Sequence, residues 1–168
     1  MSGRLLLLGT NLGDKKENFE CALTFLNNKG INIIKKSGVY ESEPWGIRDQ
    51  PWFWNMVIEV DTEMQPKELL NACLEIEIKM GRVRKQKWGE RLIDLDILYF
   101  DGQIVKEKDL KIPHPGIPER VFTLMPLAEK WPKLIHPILK KSQSEMLNNL
   151  STTSICRKID IVLGHDLD

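Results

Sequence analysis

The spacing of apolar positions changes repeatedly along this chain, and each change marks a new element. Residues 4–9, RLLLLG, are a short continuous apolar run of the kind a buried strand shows, and Gly9, Asn11, Gly13 and Asp14 read as the turn that leaves it. Over residues 15–28 the apolar Phe19, Ala22, Leu23 and Leu26 recur at helical spacing. GINIIKKSGVYES (30–42) predicts a strand, kinked or bulged near Gly38. Residues 43–53 carry two prolines, a glycine and three aromatics and read as a loop, whereas WNMVIEVDT alternates as a half-buried strand does. MQPKELLNACLEIEIKMG then predicts a helix, with Pro66 in its first turn, an apolar face of Leu69, Leu70, Cys73, Leu74, Ile76 and Met80, and Gly81 to end it.

RLIDLDILYF predicts another strand, and DGQIV a hairpin turn leading into that strand's partner. IPHPGIPERVFTLMPLAEKWP reads as a loop followed by short helical pieces, and beyond it the pattern predicts a helix over 142–150 and a strand over 157–163. Strand, helix, strand, strand, helix, strand is the split βαβ arrangement. The expectation is therefore an α+β fold with a ferredoxin-like βαββαβ core, a mostly antiparallel sheet with helices packed on it, and C-terminal additions. Residues 1–168 are expected to form a single domain.

Composition narrows the partners. Lysine plus arginine and aspartate plus glutamate number 24 each, so the formal charge is zero and no general polyanion-binding surface is expected. Any positive field is local, and it lies in residues 82–91, RVRKQKWGER, with five cations against one acid. Cys21, Cys73 and Cys156 are odd in number and contain no CxxC pair, which fits a reduced cytoplasmic protein rather than a disulfide framework or a zinc site. The opening apolar run is too short for a secretion signal or a membrane span, so no membrane association is expected.

Within the apolar run LIDLDIL, Asp94 and Asp96 stand two residues apart and so share one face of the strand, opposite Ile93, Leu95 and Ile97. Two neighbouring carboxylates repel unless a divalent cation sits with them, and magnesium takes one or two carboxylates together with substrate phosphates. The alternative is a pair of solvated acids on an exposed face. The upstream cations Arg82, Arg84, Lys85, Lys87 and Arg91, in a segment that Gly81 and Gly89 allow to bend, favour phosphate binding, because arginine forks hold phosphate oxygens at two points and such a loop can close over them. Trp45, Trp52, Phe53 and Trp54 crowd a proline-bearing loop, and at least one of them is expected to line a slot for a planar heterocycle, with Asn55 able to read its edge. His114, between two prolines, is a further restrained polar group.

These stretches, LGTNLGD, SEPWG with QPWFWN, IEIKMGRVRKQKWGERLIDLDIL and IPHPGIPERVFTLMPLAE, closely resemble the 6-hydroxymethyl-7,8-dihydropterin pyrophosphokinases of folate biosynthesis, over about residues 4–137. The resemblance implies transfer of a diphosphate from ATP to the pterin hydroxymethyl oxygen, by attack on the β-phosphorus, giving AMP and the pterin diphosphate. It implies that Asp94 and Asp96 hold two magnesium ions, and that Arg82 and Arg91 reach the phosphates from mobile loop segments while Arg84 and Trp88 help to close the site. It further implies that Phe53 and Phe122 sandwich the pterin, that Asn55 and the backbone of Ser42, Pro44 and Trp45 bind its edge, and that Glu77, Ile97, His114 and Arg120 contact the nucleotide. Phe53 stands where some members have tyrosine, Leu74 and Asp109 replace a polar residue and an arginine, and Pro115–Gly116 lack the tyrosine or arginine that can follow the histidine. The chain is expected to act as a cytoplasmic monomer on small molecules, without nucleic acid. The rival readings are another magnesium-dependent nucleotidyltransferase, which would release pyrophosphate, and a ferredoxin-like RNA-binding module, which the zero net charge and the two acids disfavour.

Overall fold

The computed structural model of the chain describes residues 3–44, 49–81 and 92–164. β1 (Arg4–Thr10) is buried at every position after Arg4, because strands flank it on both sides and helices cover both of its faces. On one side lies β5 (Asp94–Phe100) and on the other β4 (Phe53–Asp61), both antiparallel to it. β2 (Asn32–Lys36) and β3 (Val39–Ser42) both pair with β4, and β8 (Cys156–Ile159) extends the sheet beyond β3. The resulting order, β5-β1-β4-β3-β8 with β2 also on β4, is antiparallel at each of these pairings and is the expected ferredoxin-like arrangement with one added strand.

The split between β2 and β3 falls where the sequence predicts a kink, and its chemistry explains why the chain tolerates it. Ser37 replaces the missing ladder: its N–H donates to the Val57 carbonyl at 2.9 Å and its Oγ accepts from the Val57 N–H at 2.9 Å. Gly38 is packed so closely that a Cβ would lie 2.5 Å from Lys158 Cε. Its N–H donates to Glu129 Oε1 at 3.0 Å, and the same oxygen accepts from the Tyr40 hydroxyl at 2.7 Å. Glu129 thus ties the kink to the helix that covers it. Glu129→Ala, which strands the buried Tyr40 hydroxyl and the Gly38 N–H, should lower the unfolding free energy by about 2 kcal/mol in urea titrations.

Alternation along the central strands sorts their side chains into two cores. Leu6, Leu8, Met56, Ile58, Leu95 and Ile97 meet α1 (Lys15–Asn28) and α2 (Pro66–Lys79). Asp14 caps α1 by accepting from the Glu17 N–H at 3.0 Å, and Glu68 accepts from the Gln65 N–H at 3.0 Å at the start of α2. Leu5, Leu7, Val57 and Leu98 face the other way, toward Leu124 and Leu127 of α3 (Val121–Lys130), Trp131, and Met146 of α4 (Gln143–Asn149). The C-terminal additions therefore supply the second core.

Three details differ from the sequence expectations. Leu74 is exposed: the buried stripe of α2 runs through Leu69, Ala72, Cys73, Ile76 and Glu77, and Leu74 lies one residue, about 100°, past Cys73. The turn after β5, with Asp101 and Gly102 at positive φ, leads not into a partner of β5 but into β6 (Val105–Lys106), which pairs with β7 (Lys111–Ile112) in a separate two-stranded sheet. β5 already has β1 on one edge, and its other edge is taken by side chain and loop contacts described below. The last strand stops at Ile159 rather than 163 because β3 begins at Val39, its partner in register, and offers nothing beyond it. No helix among the described residues is long and apolar enough to cross a membrane.

Candidate active site

Asp94 and Asp96 emerge half-buried from β5 while Leu95 is buried in the opposite core, as alternation requires. The register places Gly9 of β1 beside Asp94, Asn55 of β4 beside Gly9, and Tyr40 of β3 beside Asn55, so Asp94, Gly9 and Asn55 form one cross-strand row on one face. Phe53, two residues before Asn55, shares that face and pairs in register with Ser42. Asn55 is buried, and its Nδ2 donates to Ser42 Oγ at 2.7 Å, which fixes the orientation of the amide. α3 packs across β3 and β4 on the same side, bringing Phe122 against the second core and Arg120 to 5.8 Å from the Phe122 ring. Phe53, Asn55 and the paired carboxylates are thus adjoining parts of one surface.

The aromatics of the preceding loop are divided between the faces. Trp54 packs against Phe19 at 6.5 Å in the core under α1, and Trp52 lies 6.0 Å from the Arg157 guanidinium, so Phe53 alone of these three reaches the carboxylate face. Asn11, buried in the β1–α1 turn, holds this loop by donating from Nδ2 to Gln50 Oε1 at 2.9 Å and to the Pro51 carbonyl at 3.1 Å. Thr10 Oγ1 donates to the Leu92 carbonyl at 2.6 Å and so fixes the approach to β5. The sequence reads Asn11 only as a turn former. Its neighbours in space are 39 and 40 residues away in the chain, and nothing local announces them.

The edge of β5 away from β1 carries the second half of the site. Glu77 of α2, buried, accepts from the Leu95 N–H at 2.8 Å, and the His114 N–H donates to the Leu98 carbonyl at 3.0 Å. Glu77 therefore acts on the strand that presents the aspartates. Burial first, and then the negative charges of Glu77 and Asp96, push the Cys73 thiol up. Along this edge runs a cleft of about 250 Å³, lined by Leu70, Asp96, Ile97, Leu110, Lys111 and His114 among others. Ile97 and His114 are sequence-derived candidates. Leu70, Leu110 and Lys111 are not, since they read as core or loop positions until the β6–β7 sheet folds back over β5.

Arg120 lies against Gly116, where a Cβ would come within 2.7 Å of its Cζ. Burial draws the Arg120 pKa down, and the charges of Asp96 and Glu119 oppose that. His114 Nδ1 accepts from the Gly116 N–H at 3.0 Å, which makes the imidazole neutral with its proton on Nε2. Burial, and then the charge of Arg120, push the His114 pKa from 6.5 down to about 4. A neutral imidazole favours the folded state, fully above pH 6.5, and this contribution is lost as pH falls from 6.5 toward about 4. His114→Asn keeps an acceptor and cannot ionise. Its stability should fall less than the parent's across that window and run parallel to it above, in urea unfolding measured against pH.

Of the sequence-derived site residues, Ser42, Pro44, Phe53, Asn55, Glu77, Asp94, Asp96, Ile97, His114, Arg120 and Phe122 are described, whereas Trp45, Arg82, Arg84, Trp88 and Arg91 lie outside the described residues. Among the described residues no group of three or more His, Cys, Asp or Glu side chains could hold a metal. Two half-buried carboxylates on one strand face still fit magnesium, which keeps waters and substrate phosphates as its remaining ligands.

Comparison with known proteins gives consistent results. Residues 5–132 match the family described as 7,8-dihydro-6-hydroxymethylpterin-pyrophosphokinase (HPPK). The chain is 43% identical over 136 residues to a 2-amino-4-hydroxy-6-hydroxymethyldihydropteridine pyrophosphokinase of Methylorubrum extorquens, covering 80% of this chain and 86% of that one. It is 40% identical over 125 residues to the Bacillus subtilis protein of the same name, covering 74% and 75% respectively. Among solved structures, Plasmodium falciparum HPPK-DHPS superposes with a TM-score of 0.69 over 86% of this chain at 18% identity, a likeness of fold, and this chain spans 44% of that longer one.

Proposed function

The chain belongs to the 7,8-dihydro-6-hydroxymethylpterin-pyrophosphokinase family, and on that premise we propose that it transfers the β,γ-diphosphate of ATP to 6-hydroxymethyl-7,8-dihydropterin. The hydroxymethyl oxygen forms a bond to the β-phosphorus, the bond from that phosphorus to the oxygen bridging the α-phosphate breaks, and AMP leaves. The hydroxyl proton is released, and the pterin carries the diphosphate. The observation that carries this reading is the row in which Gly9 joins Asp94, on the acidic strand, to Asn55, beside Phe53.

Each half of the row has its task. Phe53 and Phe122 stack on the two faces of the pterin, and Asn55, its amide pinned by Ser42, pairs with the ring edge together with the backbone of Ser42, Pro44 and Trp45. The cleft along β5, with Ile97 and His114, takes the nucleoside, and Glu77 fixes the peptide that carries the aspartates. Asp94 and Asp96 are the residues that would hold two magnesium ions. Bound there, these ions would supply positive charge to the triphosphate and lower its repulsion of the incoming oxygen. Arg82 and Arg91, with Arg84 and Trp88, are assigned to the phosphates from their positions in the family motif, and Arg120 sits where its charge reaches Asp96.

We further read the chain as a single-domain, cytoplasmic monomer that acts on small molecules. Incubation with MgATP and 6-hydroxymethyl-7,8-dihydropterin, followed by chromatography, tests the reaction. AMP and pterin diphosphate in equal amounts are expected. Pyrophosphate in place of AMP would identify a nucleotidyl transfer and overturn the proposal.

A further inference from the structure

Gly9 is out of pattern on its own strand. On the face that carries Asp94 and Asp96, β1 presents Leu5, then Leu7, then Gly9, and the leucines fill the space between β4 and β5. Leu7 lies between Val57 and Asp96, and Gly9 occupies the equivalent place between Asn55 and Asp94. Nothing in the backbone calls for glycine there: Gly9 is not among the positive-φ residues, and it pairs in antiparallel register with Asn55 on one side and, as the last pair of that ladder, with Asp94 on the other. Nor does packing. A Cβ at Gly9 would lie 3.5 Å from Asn55 Oδ1, 3.9 Å from Phe53 Cδ1 and 4.0 Å from Asp94 Cβ, all ordinary van der Waals separations. This differs from Gly38, where a Cβ would meet Lys158 Cε at 2.5 Å. Glycine inside a strand loses more conformational freedom on folding than alanine and packs nothing, so its presence without steric need points to something that approaches the backbone closely.

The three groups around the slot indicate what approaches. Phe53 and Asn55 belong to the aromatic side of the site and Asp94 to the acidic side, and two strand spacings, about 10 Å, separate the backbones of Asn55 and Asp94. A ring held at one end and a triphosphate held at the other must be joined across this gap by the short arm that carries the nucleophilic oxygen. We infer that Gly9 is a specificity-determining position, whose missing side chain leaves the space in which the acceptor's hydroxymethyl arm lies as it reaches the β-phosphorus. The inference rests on the pyrophosphokinase reading and adds to it the residue that selects for the arm.

Gly9→Ala and Gly9→Val test it, because the contacts at Gly9 predict that the alanine variant folds. Its melting temperature should equal or exceed the parent's. With magnesium and a non-hydrolysable ATP analogue present, fluorescence titration should show 6-hydroxymethylpterin binding the alanine variant at least tenfold more weakly, and the valine variant more weakly still. Pterin without a 6-substituent should bind parent and alanine variant within twofold, as should the ATP analogue measured alone by calorimetry. kcat/KM for AMP release should fall by at least the same factor as the affinity for the hydroxymethyl compound. An alanine variant that matches an active parent in kcat/KM, or one that weakens substituted and unsubstituted pterins alike, overturns the inference. A parent that releases no AMP overturns the pyrophosphokinase reading and the inference with it, and is distinguished from the first result by the parent's own activity.

Discussion

Asp96→Ala should lower kcat by at least ~10³-fold while changing the unfolding free energy by no more than about 1 kcal/mol. The activity loss follows from position. Asp96 projects from the same face as Asp94, lines the cleft along the edge of β5, and its charge acts on Arg120 against the larger effect of burial there. A metal-phosphate contact is worth several kcal/mol in the transition state, and each 1.36 kcal/mol is about tenfold in rate. The small stability change follows from burial. Asp96 is only partly buried, at the rim of the second core, and apolar contacts of β5 are made by Leu95, Ile97 and Leu98. A readout independent of turnover is the melting temperature in magnesium alone, which should rise for the parent and stay level for the variant. Undiminished AMP release by Asp96→Ala would remove the carboxylate from the reaction.

Asn55→Ala should show the complementary signature: affinity for the pterin roughly a hundredfold weaker, with kcat reduced far less. Asn55 is 2% exposed, and its Nδ2 bond to Ser42 Oγ holds the amide in one orientation before any ligand arrives. A pre-set donor and acceptor pair discriminates strongly, because the buried polar groups opposite it go unpaired when it is removed. Ser42→Ala, which loses the brace and keeps the amide, should have a milder effect of the same kind. Fluorescence titration of the pterin against single-turnover rates separates the two quantities. If Asn55→Ala lowered kcat and affinity by similar factors, Asn55 would be acting on the chemical step rather than on recognition.

The elements near the site were legible because they are local. Helical spacing in 15–28, proline and glycine at the ends of α2, and the alternation of LIDLDIL each follow from a short window, and all three are found in the structure. Gly38 marked the break between β2 and β3 for the same reason. What a short window cannot carry is pairing. The turn at Asp101–Gly102 looks like a hairpin of β5, yet β1, nearly 100 residues earlier in the chain, already holds one edge of that strand, and Glu77 and His114 bond to its backbone. Asn11 and the cleft residues Leu70, Leu110 and Lys111 were missed on the same ground, since their roles come from segments brought together by tertiary structure. Gly9 reads locally as the start of the turn after the leucine run, and its meaning depends on the register that keeps it in β1 with Asn55 and Asp94 on either side.

The reading as a whole turns on one arrangement: the triphosphate at Asp94 and Asp96, and the pterin across Gly9 from it between Phe53 and Phe122. A crystal structure with a non-hydrolysable ATP analogue, magnesium and 6-hydroxymethylpterin measures it directly. The expected result is carboxylate oxygens of Asp94 and Asp96 on metal ions that bridge the phosphates, with the hydroxymethyl oxygen over Gly9 and pointing at the β-phosphorus. A triphosphate bound away from β5, or a pterin with its hydroxymethyl group turned from Gly9, would contradict it.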